Sequence, residues 1–222
     1  MKRLLFASSL LTAVACYTPA FAQSMWDAAP VGKAAGTFMI RARAIGVIPQ
    51  NSDSSISAIG GRVETSNAAA PEVDFSYFLT DNIALELIAA TTKHDLYAVN
   101  SALAPNGSAK VGSTWVLPPT LLLQYHFMPK ERFSPYVGAG LNVSFFYNTK
   151  PVGGVINQLA MSNNVGGAIQ VGFDYNVAGN WFLNMDVKQI FLNTTASVNG
   201  GAVRAKTALN PTVVSAGIGY RF

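Results

Sequence analysis

Apolar and polar residues trade places one for one over most of the chain beyond residue 35. In "PYVGAGLNVSFFY", Val137, Ala139, Leu141, Val143 and Phe145 share one face; Gly138, Gly140, Asn142 and Ser144 share the other. In "IQVGFDYNV", Ile169, Val171, Phe173, Tyr175 and Val177 oppose Gln170, Gly172, Asp174 and Asn176. Trp181, Leu183, Met185 and Val187 likewise oppose Asn184, Asp186 and Lys188. A period of two means a strand with one apolar and one polar face. The alternation predicts eight strands, at about 36–50, 71–80, 83–96, 113–127, 135–149, 163–178, 181–196 and 207–222. Short connections at 80–82, 128–134 and 179–180 take turns with long Gly-, Ser-, Asn- and Ala-rich ones at 51–70, 97–112, 150–162 and 197–206. Short turns at one end and long loops at the other are the pattern of a transmembrane β-barrel, and eight is the smallest usual strand number.

Composition then fixes the solvent. Half of the chain is hydrophobic and 12% is charged, against about 25% charged in ordinary soluble domains. No run of about 18 apolar residues follows residue 22, so a closed barrel is the remaining way to live in lipid. Lys2 and Arg3, the apolar run 4–15 and "TPAFA" with Ala20 and Ala22 read as a secretory signal peptide over 1–22, leaving a barrel domain at 23–222. Cys16 leaves with that segment, so no disulfide is expected. The 15 Lys and Arg residues fall to 13 without Lys2 and Arg3, against 11 acidic ones. That balance, in an exported chain, gives no case for nucleic acid.

Nearly every charge within a strand falls opposite the apolar face, hence toward the lumen. The inward set is Arg41, Arg43, Glu72, Asp74, Glu86, His126, Asp174, Asp186, Lys188 and Arg221. So many charges in a narrow, low-dielectric space must pair; they are either a structural plug or a charged lower lumen that blocks straight passage. Met39, Val47, Ile88 and Leu122 sit on the same phase and are expected to line an apolar upper lumen. Pro118 and Pro119 interrupt strand 4, where neither donates a ladder hydrogen bond; this is a tolerated bulge or a lateral opening. Aromatics flank the short turns, among them Tyr77, Phe78, Tyr125, Phe127, Phe133, Tyr136, Tyr175, Trp181 and Phe182, as an interfacial girdle would. The apolar loop "PVGGVINQLAMSN" is either a short helix over the mouth or a flexible surface loop. Neither His94 nor His126 is followed two residues later by Ser, and metal and phosphate-loop spacings are missing, so no enzyme, cofactor or metal site is expected.

The stretches "TDNIALELIAAT", "LPPTLLLQYHF", "PYVGAGLNVSFFYN", "GGAIQVGFDY", "NWFLNMDVKQI" and the terminal "SAGIGYRF" resemble the OmpW family of bacterial outer-membrane proteins. The resemblance implies a monomeric eight-stranded barrel in the outer membrane, with Tyr220 and Phe222 facing lipid and the terminal Phe222 read by the barrel-assembly machinery. It implies passage of small hydrophobic compounds, and for some members service as bacteriocin or phage receptors. A large apolar residue precedes "GGAIQ" in the family; here that position is Val165, which joins the candidates for the apolar lumen although its phase is left open by Gly166 and Gly167. Two functions follow: a passive channel for small hydrophobic molecules, with lateral exit into the bilayer, or a structural or adhesion barrel with a blocked lumen.

Overall fold

The structure, a computed structural model, describes residues 32–222; the expected signal peptide lies outside the described residues. In chain order the strands are β1 (Phe38–Ile48), β2 (Ser52–Ile56), β3 (Arg62–Thr65), β4 (Ala68–Phe78), β5 (Ile83–Ala90), β6 (Thr92–Ser101), β7 (Ala104–Leu117), β8 (Thr120–His126), β9 (Phe133–Pro151), β10 (Leu159–Met161), β11 (Asn164–Ala178), β12 (Trp181–Phe191), β13 (Asn193–Val198), β14 (Val203–Ala208) and β15 (Thr212–Arg221). Eight of them close an antiparallel ring, β1-β4-β5-β8-β9-β11-β12-β15, with β15 pairing back onto β1. Each ring neighbour is a neighbour in sequence, as in an up-and-down barrel.

The other seven strands continue the ring strands outward. The long connections expected as loops are thus mostly hairpin, built from β2, β3, β6, β7, β10, β13 and β14. Their inward residues explain this: Ile56, Val63, Leu96, Ala98, Val111, Ala196 and Ala205 pack into one apolar cluster. The loop at 150–162 forms no α-helix; it carries β10 and sends Ile156 and Leu159 into the same cluster, covering the top. Among the described residues the only helix is a single 3-10 turn, Asn199–Gly201.

The solvent inverts along the axis while the pleat does not. On β5 and β6 the inward phase reads Ala84, Glu86, Ile88, Ala90, Thr92, His94, Leu96 and Ala98. The outward phase runs from Leu85 and Leu87 to Lys93 and Asp95. Below, apolar side chains such as Leu141, Val171 and Leu183 are exposed on the outer wall, where lipid surrounds them. Above, the outer wall is polar and the inside apolar, as in a soluble domain. Eleven residues of β12 at about 3.4 Å each and 45° tilt cross roughly 25 Å, the height of a barrel's apolar band.

The aromatic girdle holds for Tyr77, Tyr125, Phe127, Phe133 and Trp181, which are exposed. Phe78, Tyr136 and Phe182 instead point inward and are buried, as strict alternation from Tyr77, Val137 and Trp181 requires. The chain end is held: the Phe222 amide donates to Phe38 O at 2.9 Å. Trp181, Tyr220 and Phe222 make successive edge-on ring contacts, each at 4.9 Å.

Candidate functional site

The lumen is a stack of three layers. The lowest is a plug. Met39, Phe78, Ala84 and Phe182 form an apolar cluster, so Met39 lies at the periplasmic end and not in the upper lumen. It is the second residue of β1, and height along a strand follows residue count. The His126 ring lies against Phe78 (centroids 4.8 Å apart) and Tyr136 (4.9 Å), and contacts Gln124 Oε1 at 3.2 Å. Into this layer the segment 32–37 sends Lys33. Its ammonium donates to Asp174 at 2.7 Å and Ser134 at 2.9 Å, and meets His126 Nδ1 at 3.1 Å. Phe78 and Phe182 present their ring faces to it, both at 5.8 Å. Sequence reading missed Lys33 because it precedes the first strand, where no periodicity assigns a side.

Above the plug lies the charge network, set by register. Arg41 stands opposite Asp74 on β4, and Arg43 opposite Glu72; on the other side both face glycines, Gly219 and Gly217. A Cβ at Gly219 would press on Arg41 Cγ at 3.0 Å, so the missing side chain makes the room. Arg41 grips Asp174 with Nε (3.0 Å) and Nη2 (2.9 Å), and reaches Asp74 at 2.8 Å. Arg43 reaches Glu72 at 2.8 Å, Asp74 at 3.0 Å, Glu86 at 3.3 Å, and also Asp186. Lys188 joins Asp186 (2.8 Å), Glu72 (3.3 Å) and Ser215 (2.9 Å). Tyr136 closes the layer by donating to Asp186. All these charges are buried; such a network holds its geometry because any member left alone would cost several kcal/mol. Arg221 is a correction: it sits at the rim, bonded to Gly32 O and Asn180 Oδ1, and among the described residues it forms no ion pair.

The third layer is an apolar chamber. Ile45, Val47, Ile88, Ala90, Val116, Phe146, Ile190, Leu192, Leu209 and Val213 line it above a floor that includes Glu72 and Lys188. The empty space between them is ≈ 800 Å³, its open mouth included. Val47 and Ile88 are where the sequence placed them, and Leu122 packs in the same apolar cluster. A polar collar of Thr65, Thr92, His94 and Thr114 also faces the chamber. The His94 Nδ1–H donates to Ser66 O (2.7 Å), so Nε2 accepts from Thr92 Oγ1 (2.8 Å). His94 lies on β6, outside the membrane-spanning strands, and burial pushes its pKa below the ordinary histidine value. Burial therefore favours the neutral imidazole in the collar. A second apolar space, ≈ 780 Å³ with its opening to solvent included, lies beneath the loops, and Leu96 borders both. Val165 is corrected: it is 61% exposed, on the outer wall opposite Val143, so it does not narrow the lumen.

Pro118 lines the chamber, as do Pro49 and Pro211, each at a break between a ring strand and its extension. Ile88 pairs with Thr120, and pairing resumes in the same register at Thr92 and Val116. Between those pairs, Ala89–Thr91 faces Leu117–Pro119, where Pro118, opposite Ala90, lacks an amide donor. On the other flank the Val143 amide still donates to Pro119 O at 3.0 Å. Pro119 turns its backbone to β9 and so lacks its donor on that flank, where the Val143 bond survives; Pro118 turns to β5 and β6, and that side is the thinner one.

A profile of the OmpW family matches residues 34–222. The chain is 43% identical over 196 residues to an outer-membrane protein of Sinorhizobium fredii, covering 86% of this chain and 83% of that one. It is 33% identical over 195 residues to outer membrane protein W of Vibrio cholerae, covering 84% and 89%. Among solved structures, the outer membrane protein OprG of Pseudomonas aeruginosa superposes with a TM-score of 0.79 at 28% identity, covering 86% of this chain and 98% of that one.

Proposed function

The chain belongs to the OmpW family of bacterial outer-membrane barrels, and from that premise we propose that it passes small, mainly apolar molecules inward from the cell surface and releases them sideways into the bilayer. The observation that carries the reading is the order of the layers: an apolar chamber stands directly on a lumen filled with paired charges and rings. An apolar solute gains about 0.8 kcal/mol per methylene on entering such a space. Going further down would mean displacing ion pairs that it cannot replace. The seam at Pro118 and Pro119 supports a lateral path, because opening it breaks few backbone hydrogen bonds and needs no slip in register. The step needs no cofactor and no energy source beyond the solute's own gradient.

The test pairs two solutes. Proteoliposomes and intact cells making the protein are expected to take up an apolar dye faster than protein-free controls, with no swelling in a polar sugar. Pro118→Val/Pro119→Val is expected to slow the dye while the barrel stays folded on gels. Sugar passage, or dye uptake equal to the control, would refute the reading. The filled lower lumen also supports a second reading, a surface-interaction barrel that offers its hairpins to bacteriocin, phage or adhesion partners; absence of dye flux favours it.

A further inference from the structure

We propose that the outer wall carries a docking site for the phosphorylated head of one outer-leaflet glycolipid, centred on Lys93 and Lys150. This inference needs only the outer-membrane placement and stands whether or not the lumen conducts. Lys93 on β6 faces outward in line with Trp115 on β7, which pairs in turn with Tyr147 on β9. This row lies one outward step above Leu117 and Phe145, the last large apolar pair on this flank. It is therefore at headgroup level on the extracellular side.

A β-bulge brings the second lysine to the next outward row, level with Asp95 and Ser113. Trp115 pairs with Tyr147, but Ser113 pairs with Lys150, so β9 spends three residues against two. Asn148 takes a positive φ of 47° at this place. The extra residue turns Thr149 inward, where its hydroxyl meets Thr114 at 2.8 Å, and turns Lys150 out. Without it Lys150 would point into the barrel. Lys93 and Lys150 are thus two strands and one outward row apart, roughly 10 Å across the sheet and about 7 Å along it, within reach of one phosphate on flexible stems.

Their charge is uncommitted. Asp95, the acid beside Lys93 on β6 and level with Lys150, is held by Lys110 at 2.7 Å, and among the described residues neither Lys93 nor Lys150 has an ion-pair partner. Arg62, by contrast, is paired with Glu64 at 2.8 Å. The Trp115 and Tyr147 rings, 6.3 Å apart, offer a flat rail for a sugar, and the Tyr147 hydroxyl is tied to Thr91 at 2.6 Å. Leu117 and Phe145 below receive an acyl chain. A bisphosphorylated, acylated glucosamine disaccharide carries its phosphates at the ends of the sugar and its chains below, which matches lysines beside the ring pair and an apolar pair beneath it.

The experiment titrates the purified full chain, in uncharged detergent, with bisphosphorylated lipid A, with the same lipid stripped of both phosphates, and with inorganic phosphate. Native mass spectrometry counts the adducts. The expected result is one tightly held lipid A per chain. Binding falls about tenfold or more for the stripped lipid and for Lys93→Gln/Lys150→Gln, and millimolar inorganic phosphate does not displace the lipid. Arg204→Gln/Lys206→Gln removes equal charge higher on the wall and is expected to bind as the parent does. Equal binding by Lys93→Gln/Lys150→Gln, equal binding of the stripped lipid, or the same loss in the Arg204/Lys206 pair would overturn the proposal. Displacement by inorganic phosphate would reduce the site to a simple anion site and overturn it equally.

Discussion

Replacing Lys33 with methionine tests whether the segment before β1 belongs to the barrel's interior or merely hangs beneath it. Methionine keeps the apolar stem and removes the ammonium that the Phe78 and Phe182 rings face at 5.8 Å. Lost are the 2.7 Å ion pair to Asp174, the 2.9 Å bond to Ser134 and the contact with His126. Hydrogen bonds to charged groups are worth about 1.5–3 kcal/mol each, and a buried ammonium also costs several kcal/mol of hydration. Asp174 is not stranded, since Arg41 still holds both its oxygens and Asn184 donates at 2.9 Å. The net destabilisation is therefore expected to be about 2–3 kcal/mol, below the roughly 3–5 typical of an orphaned buried charge. Asp174→Asn leaves Lys33 and Arg41 without their shared carboxylate and is expected to cost about 4 kcal/mol. In the double variant the two losses overlap, so the costs fall short of additive by at least about 1 kcal/mol. Urea unfolding in lipid vesicles, followed by the gel shift between folded and unfolded barrel, measures all four corners. Strict additivity, or a Lys33→Met cost below about 0.5 kcal/mol, would show that Lys33 is not part of the lumen network.

Three further outcomes follow from the same geometry. Gly172→Val places a side chain where even a Cβ meets Tyr136 Cζ at 2.7 Å, Asp186 Cβ at 2.6 Å and the Met185 carbonyl oxygen at 2.7 Å; an overpacking cost of about 1–3 kcal/mol is expected in the same unfolding assay, and a neutral result would refute the close packing of β11 against β12 and Tyr136. Ile88→Trp fills the chamber and is expected to slow apolar dye uptake severalfold, whereas Val165→Trp, on the lipid face, leaves it unchanged; the reverse order would refute the assignment of faces. At the periplasmic turns, hydrogen bonding to Lys130 at 2.9 Å and to the Ala35 amide holds the Asp81 carboxyl below its ordinary value. A depressed folded pKa stabilises above the unfolded value near 3.8 and is lost as pH falls through the folded one. Lys130→Ala is accordingly expected to raise the Asp81 NMR titration midpoint, and an unmoved midpoint would show the pair to be broken in solution.

Much of this molecule is legible in a single strand. Period-two alternation places Arg41, Glu72, Glu86, Asp174, Asp186 and Lys188 inside and Leu141, Val171 and Leu183 outside, because a side chain's face depends only on its own strand's pleat. Residue count gives height as well, and Met39 at the second position of β1 was already at the bottom by that measure. Alternation also put Phe78, Tyr136 and Phe182 inside, against the pull of their chemical likeness to the girdle residues. Tertiary structure alone decided the rest. Lys33 has no strand to give it a phase, and its place follows from a cavity assembled by β4, β8, β11 and β12. The outward extensions look like loops in sequence because their Gly, Ser and Asn content is high; they are strands because Ile56, Leu96 and Leu159 find one another only after the ring has closed. Lys150 took its side from a one-residue bulge, whereas Val165 keeps the outward phase of Ile169 and Val171 straight through its glycine pair. Pleat is a local property of the backbone, whereas register, bulges and cavities come from which strands meet, and that is settled across the whole ring at once.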